Sequence, residues 1–360
     1  MGVSVVIPSY NRAHRLPTAI DSVLAQGWPD VEIILVDDGS VDDTHQVAAG
    51  YGDRVRYVYQ PNAGVGAARN TGMRHATREF VAFLDSDDRW LPFKLDLQLA
   101  LFRVRTDVGL VFSDFSIERS EGTMLSEGAS LWSGHKVDFP EMTRAEVGRS
   151  MGQHGDAWPG DVIECWAGPM YRQLLDELPI LTSSVVVRRD LLDASTQYTE
   201  RVALFEDWEF FARVARRASV GYVTVPTTVN VGHHDPGRVS KCSAVDRAQS
   251  YLTLLQRVWL ADPEFVARYG AAARSAHGRA LLAFAREALL ARQRDDARAA
   301  LETWRRSGFD ERRMWAAIIG LCARLGGGRL VLRNILRGYT LTRLLLQPGR
   351  PPRGSVNPAT

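Results

Sequence analysis

The chain has 360 residues, 45% of them hydrophobic and 24% charged, with a formal net charge of +2. That length leaves room for two domains, and the composition argues against a disordered chain, a collagen or a coiled-coil rod. Three cysteines (Cys165, Cys242 and Cys322) stand far apart with no C-x-x-C pair. This argues against a disulfide framework or a structural zinc site and fits a reducing cytoplasm.

Val3-Ser-Val-Val-Ile7 reads as a buried strand ending at Pro8. Leu16 to Gln26 has helical spacing, and Val31 to Val36 is a second buried strand running into Asp37-Asp38-Gly39-Ser40. A polar helix, a strand over Val55–Tyr59, a glycine-rich turn and a helix around 64–77 follow. Phe80 to Leu84 is another short apolar strand, leading into Asp85-Ser86-Asp87-Asp88. Short buried strands alternating with helices predict an α/β fold with a mostly parallel sheet between helices. Ligands of such sheets bind beyond the carboxyl ends of the strands. Three polar clusters, Pro8-Ser9-Tyr10-Asn11, Asp37–Ser40 and Asp85–Asp88, therefore converge on one edge.

Residues 118–180, rich in Gly, Pro and Trp (Trp132, Trp158, Trp166), read as long loops. A strand is expected over Leu181–Arg188, a helix over Glu206–Arg217 and a strand over Val220–Val225. From Asp246 the pattern is helical to about Leu346, with Ala280–Arg294 and Asp296–Arg306 as an antiparallel pair. The expected division is residues 1–245 as one α/β domain, halved at 117/118, then 246–346 as a helical domain and 347–360 as a disordered tail. Charge divides similarly: residues 1–250 carry 25 basic and 34 acidic side chains, and residues 251–360 carry 19 and 8. No basic region precedes Val3 and no apolar run reaches the ~18 residues of a membrane span.

Several clusters have two readings. Asp85-Ser86-Asp87 presents two carboxylates on one side of an extended segment, suited to Mg²⁺ or Mn²⁺, or is a solvated acidic turn. Asp37-Asp38 offers a carboxylate that accepts from a base or ribose, or belongs to an Asx turn or helix cap. Gly64 to Gly72 is a phosphate loop at a helix start or a glycine turn feeding a packed helix. It fails the dinucleotide fingerprint, with Arg69 in the place of the third glycine. Glu206-Asp207 is a general base or an acidic helix start. His233-His234 offers a metal ligand or an exposed loop.

Together these clusters resemble the family 2 inverting glycosyltransferases of the A-type nucleotide-diphospho-sugar transferase (GT-A) fold. The resemblance rests on Val3–Arg12, Ile34–Thr44, Asn62–Gly72 and Phe83–Asp88, and more loosely on Leu181–Arg189, Glu206-Asp207-Trp208 and His234–Ser240. It vanishes between 118 and 180. It implies transfer of a sugar from a nucleotide-sugar donor, with a lean to UDP-sugar, to a hydroxyl of a glycan or lipid-linked acceptor. This suits bacterial surface polysaccharide or glycoconjugate synthesis in the cytoplasm or on the inner face of the plasma membrane. By position it implies that Pro8 and Tyr10 line the base pocket, Asp38 accepts from the base and Arg69 stands near the nucleotide. It likewise places Asp85 and Ser86 at the donor, and Asp87, Asp85 and His234 on Mn²⁺ or Mg²⁺. Asp207 becomes the base with Glu206 supporting it, and Thr182 and Ser183 sit near the acceptor or donor sugar.

A nucleotidyltransferase would want a basic glycine-rich loop after the first strand, where Pro8-Ser9-Tyr10-Asn11 stands instead. A non-catalytic nucleotide-sugar or glycan-binding protein would not need the acidic pairs. No nucleic-acid module is present. Arg329, Arg333 and Arg337 share one helix face, with Val331, Leu332, Ile335, Tyr339 and Leu346 roughly opposite. Such a helix lies on an anionic membrane surface, or packs on its neighbours or on a second copy of the chain.

Overall fold

The computed structural model describes residues 1–119, 121–148, 160–231, 242–307, 313–324 and 328–336. The chain divides into two compact units, one of residues 1–202 with 206–238, the other of residues 203–205 with the chain from 239 onward.

In the first unit, β1 (Val3–Ser9) is buried along its whole length, as a strand covered on both faces must be. Helix α1 (Leu16–Leu24) starts with a proline in its first turn and buries Leu16, Ala19, Ile20 and Val23, a single apolar stripe. Strand β2 (Val31–Asp37), α2 (Thr44–Gly50), β3 (Val55–Tyr59), α3 (Val65–His75) and β4 (Phe80–Phe83) follow. β3, β2, β1 and β4 lie side by side, all parallel. Helix α3 lies close on β1: a Cβ at Gly72 would collide with both methyls of Val6. Gly64, just before α3, has φ +93°, a conformation that only glycine adopts readily.

β5 (Arg89–Trp90), α4 (Lys94–Val104), β6 (Val108–Glu118), β7 (Met124–Leu125), α5 (Gly128–Ser133), β8 (Thr143–Gly148), β9 (Val162–Gly168), β10 (Val186–Arg188), α6 (Glu206–Arg217) and β11 (Ser219–Val231) complete this unit. Among the described residues eleven strands form one sheet, ordered β3-β2-β1-β4-β10-β6-β11-β9-β8, with β5 on β11 and β7 on β6. Beyond β4 the sheet is mixed: β10 is antiparallel to both neighbours, β11 parallel to β6, and β9 antiparallel to β11.

Three expectations are corrected here. Residues 118–180 are not only loops, because β8 and β9 form an antiparallel pair and α5 precedes them. Thr182–Ser184 is a 3-10 turn, not strand, so β10 is only three residues long. The strand expected to end at Val225 runs on to Val231, with register shifts around Pro226 that let proline sit in the ladder. Trp158 lies outside the described residues.

The second unit holds α7 (Ala244–Val258), α8 (Pro263–Leu290), α9 (Arg294–Arg306) and α10 (Arg313–Arg324). Ser243 caps α7 by accepting from Asp246 N, and Asp262 caps α8 by accepting from Glu264 N and Phe265 N. Leu281, Ala285, Ala288 and Leu289 of α8 are buried, as are Ala297, Leu301 and Trp304 of α9. Residues 328–336 are helical, with Leu332 buried and Leu330, Val331 and Ile335 exposed. Arg337, Tyr339 and Leu346 lie outside the described residues. No described helix is long and apolar enough to cross a membrane.

One core residue of the first unit carries an electrostatic cost. Lys94 is 0% exposed. Its Nζ donates to Gln98 Oε1 at 2.6 Å and sits 4.9 Å from the centre of the Trp90 ring. Burial pushes its pKa well below the usual lysine value. A lysine that is harder to protonate folded than unfolded makes stability rise with pH between its folded value and about 10.5. In chemical denaturation the wild type should therefore gain stability relative to Lys94→Met as pH is raised from 7 to 10. A constant difference would show that Lys94 keeps an ordinary pKa.

Candidate active site

The carboxyl ends of the parallel strands build the site. Ser9 pairs with Asp37 across β1 and β2, and Asp38 N donates to Ser9 O at 2.8 Å. Pro8 is buried in β1 opposite Val36, and Tyr10, just past the strand, is 48% exposed. Asp37 accepts from Ser40 N at 2.8 Å and from Tyr57 OH at 2.6 Å. Asp38 is 4% exposed. Its Oδ1 accepts from Gln60 Nε2 at 2.7 Å and Ala63 N at 2.9 Å, and its Oδ2 from Gly64 N at 2.8 Å. The carboxylate expected to meet a base thus shapes the turn that starts α3.

Arg69 projects from α3 and is 4% exposed. Its Nη2 donates to Asp85 Oδ1 at 2.8 Å and its Nη1 to Glu206 Oε1 at 3.0 Å. The guanidinium lies 5.1 Å from the centre of the Tyr198 ring, which stacks on Phe210 at 4.1 Å. Burial works against its charge, but Asp85, Tyr198 and Glu206 outweigh burial and hold it more basic than usual. One buried cation therefore joins the Asp85 turn to the start of α6.

Asp207 occupies the first turn of α6 beside Glu206. Its Oδ1 accepts from Trp208 N at 2.7 Å, while Thr182 Oγ1 lies 3.4 Å from Oδ2. Burial first, and then the charge of Glu206, raise its pKa to about 7, with Arg69 pulling the other way. A carboxylate tuned there exchanges protons near neutral pH, as a general base must.

At the acidic turn, Asp85 and Asp87 are half-buried and Ser86 is 7% exposed. Asp88 is buried. Burial, then Asp87 and Asp85, drive its pKa well up, so the turn holds more negative charge than it can comfortably ionise. An oxygen-only set of this kind fits a hard divalent cation, which takes one or two carboxylates and completes its shell from phosphate and water. Asp87 and Asp85 would hold it. Among the described residues no group of three His, Cys, Asp or Glu makes a ready cage. His234 lies outside the described residues.

Ser183, expected near the acceptor or donor sugar, spends its hydroxyl inside the protein. It is 0% exposed, and its Oγ accepts from Asp85 N at 3.1 Å and donates to Asp88 Oδ2 at 2.6 Å. Thr182, 3% exposed, keeps its contact with Asp207.

Residues 4–174 match the family described as Glycosyl transferase family 2. That part of the chain belongs to glycosyl transferase family 2. An uncharacterized glycosyltransferase of Nostoc is 38% identical over 156 residues, covering 39% of this chain and 48% of that one. The Escherichia coli UDP-Glc:alpha-D-GlcNAc-diphosphoundecaprenol beta-1,3-glucosyltransferase WfgD is 34% identical over 117 residues, covering 32% and 46%. The chain thus spans about half, or less, of the length of the curated relatives it matches. The crystal structure of Staphylococcus aureus TarS 1-349 in complex with UDP-GlcNAc superposes with a TM-score of 0.62 at 17% identity, over 94% of this chain and 92% of that one. The architecture is the GT-A fold followed by a helical region.

The first unit holds two site residues that the sequence alone did not mark. Asp88 stood in view at the end of the acidic run, but nothing local marked it as buried. Tyr198 had no local signal, since it reaches the site through its packing under Arg69. Asn70 fixes its segment by donating to Tyr198 O at 2.9 Å and accepting from Tyr198 N at 2.8 Å.

The raised pKa of Asp207 has a stability consequence. An acid that is easier to protonate folded than unfolded makes stability fall as pH rises from about 4 through about 7. Thermal unfolding should show Asp207→Asn gaining on the wild type across that window and holding its gain above it. A gap that stays flat with pH would mean that Asp207 titrates normally.

Proposed function

We propose that the chain is an inverting glycosyltransferase that moves a sugar from a nucleoside-diphosphate donor, a UDP-sugar, to a hydroxyl of a glycan or lipid-linked acceptor. The observation that carries this reading is the Arg69 bridge. It ties Asp85, one of the carboxylate pair suited to the leaving group, to Glu206, the neighbour of the half-buried Asp207 suited to the attacking hydroxyl. WfgD, named for a UDP-Glc donor and a diphosphoundecaprenol-linked acceptor, and TarS, solved in complex with UDP-GlcNAc, support the substrate class.

In this reading the exposed Tyr10 ring offers a face to the base, and the Asp38 turn bounds the pocket. Asp207 Oδ2 receives the proton of the acceptor hydroxyl as its oxygen attacks the anomeric carbon. The bond from that carbon to the diphosphate oxygen breaks, and the electron pair leaves with the diphosphate. Attack and departure on opposite faces invert the configuration. A divalent cation bound by Asp87 and Asp85 would neutralise charge on the leaving diphosphate. Arg69 keeps Glu206 from repelling the ionised form of Asp207 unopposed.

Release of UDP from a panel of UDP-sugars with Mn²⁺ and lipid-linked or glycan acceptors tests the assignment. Asp207→Asn should lower kcat by about 10²–10⁴-fold while UDP binding persists. The wild-type rate should fall as pH drops below about 7, because the base must be ionised. Chelation of divalent ions should abolish turnover. Transfer that survives both chelation and Asp207→Asn would refute the reading.

A further inference from the structure

A second tie, independent of Arg69, runs between the acidic turn and Asp207. Asp88 is 2% exposed, and both of its oxygens are engaged inside the protein. Oδ1 accepts from Asn230 Nδ2 at 3.0 Å and Val231 N at 3.1 Å, and Oδ2 accepts from Ser183 Oγ at 2.6 Å. The Ser183 hydroxyl in turn accepts from Asp85 N at 3.1 Å. The Ser183 carbonyl is pinned by Trp90 Nε1 at 2.8 Å and Thr228 Oγ1 at 3.2 Å. The next residue back, Thr182, touches Asp207 Oδ2. Asp88 therefore gathers three separate pieces of chain: its own turn, the 182–184 turn and the end of β11.

We propose that Asp88 is a positioning residue for sugar transfer: through Ser183 and Thr182 it fixes the placement of Asp85 and Asp87 relative to Asp207. This rests on the glycosyltransferase reading above. Asp88 is not itself a cation ligand, because it has almost no accessible surface and its three hydrogen bonds are satisfied by protein donors. A displacement needs the leaving oxygen, the anomeric carbon and the attacking oxygen in line. A misplacement of about 1 Å costs up to about 10²-fold in rate. Arg69 alone does not set that geometry, since it grips Asp85 and Glu206 by their side chains. The Ser183 link holds the turn by its backbone.

The test compares Asp88→Asn, Asp88→Ala and Ser183→Ala in the full chain. UDP binding with Mn²⁺ is followed by calorimetry, and kcat is measured on whichever UDP-sugar the wild type consumes. Asparagine can accept the same two hydrogen bonds at Oδ1 and meet Ser183 with its amide, so Asp88→Asn should stay within about threefold of wild-type kcat. Asp88→Ala and Ser183→Ala should lose about 10–100-fold in kcat, with UDP–Mn²⁺ affinity and Mn²⁺ requirement little changed. If Asp88→Asn raises the Mn²⁺ requirement as strongly as Asp87→Asn, Asp88 is a ligand and the proposal is wrong. If the folded alanine variants turn over at the wild-type rate, it is wrong as well. Should Asp88→Ala not fold, Ser183→Ala decides alone, because it cuts the link while leaving Asn230 and Val231 on Asp88. A wild type that neither binds UDP–Mn²⁺ nor consumes any UDP-sugar overturns the glycosyltransferase reading first, and with it any role in transfer.

Discussion

The site depends on one buried guanidinium. Arg69 comes from a helix that follows the third strand, yet it grips a carboxylate after the fourth strand and another at the start of α6. Removing one partner from such a buried arrangement costs about 3–5 kcal/mol, because the charge left behind has no water to solvate it. Five acids, Asp85, Asp87, Asp88, Glu206 and Asp207, crowd this region, and two of them, Asp88 and Asp207, have raised pKa values. Without Arg69 the cluster would shed charge by taking up protons, and Asp207 would be harder still to ionise. The same cation that stabilises the fold thus helps to keep these carboxylates ionised.

The aromatic bed under Arg69 belongs to the same arrangement. Tyr198 and Phe210 stack nearly parallel, 8° apart, and Phe83 meets both edge-on. A planar guanidinium over such a stack is held in orientation as well as in place. Lysine at this position would keep the charge and lose both the flat contact and the two-handed grip.

Much of this was legible in the sequence, and the exceptions have physical causes. The first, second and fourth strands announced themselves as largely apolar runs, and Asp37-Asp38 and Asp85–Asp88 stood out because each directly followed one. The β8–β9 pair gave no such signal: Thr143–Gly148 is mostly solvent-facing, so its strand character comes from pairing, not from an apolar period. Leu181–Arg188 read as one β-rich run, but Ser184 N bonds back to Leu181 O and Val185 N to Thr182 O, which bends its first half into a turn. Individual site residues were legible only as candidates. Arg69 and Glu206 are 137 positions apart, and Asp85 and Ser183 are 98 apart. Only the fold discloses that these residues meet.

Helix α3 lies so close on β1 that position 72 has no room for a methyl group beside Val6. Arg69 sits one turn earlier on the same helix. Any side chain at 72 must lift the helix from the sheet and carry the guanidinium with it. In a mutational survey, position 72 would therefore score like a residue of the reaction centre while touching no substrate. The tolerance of this chain to sequence drift is then set as much by the seating of one helix as by its acids.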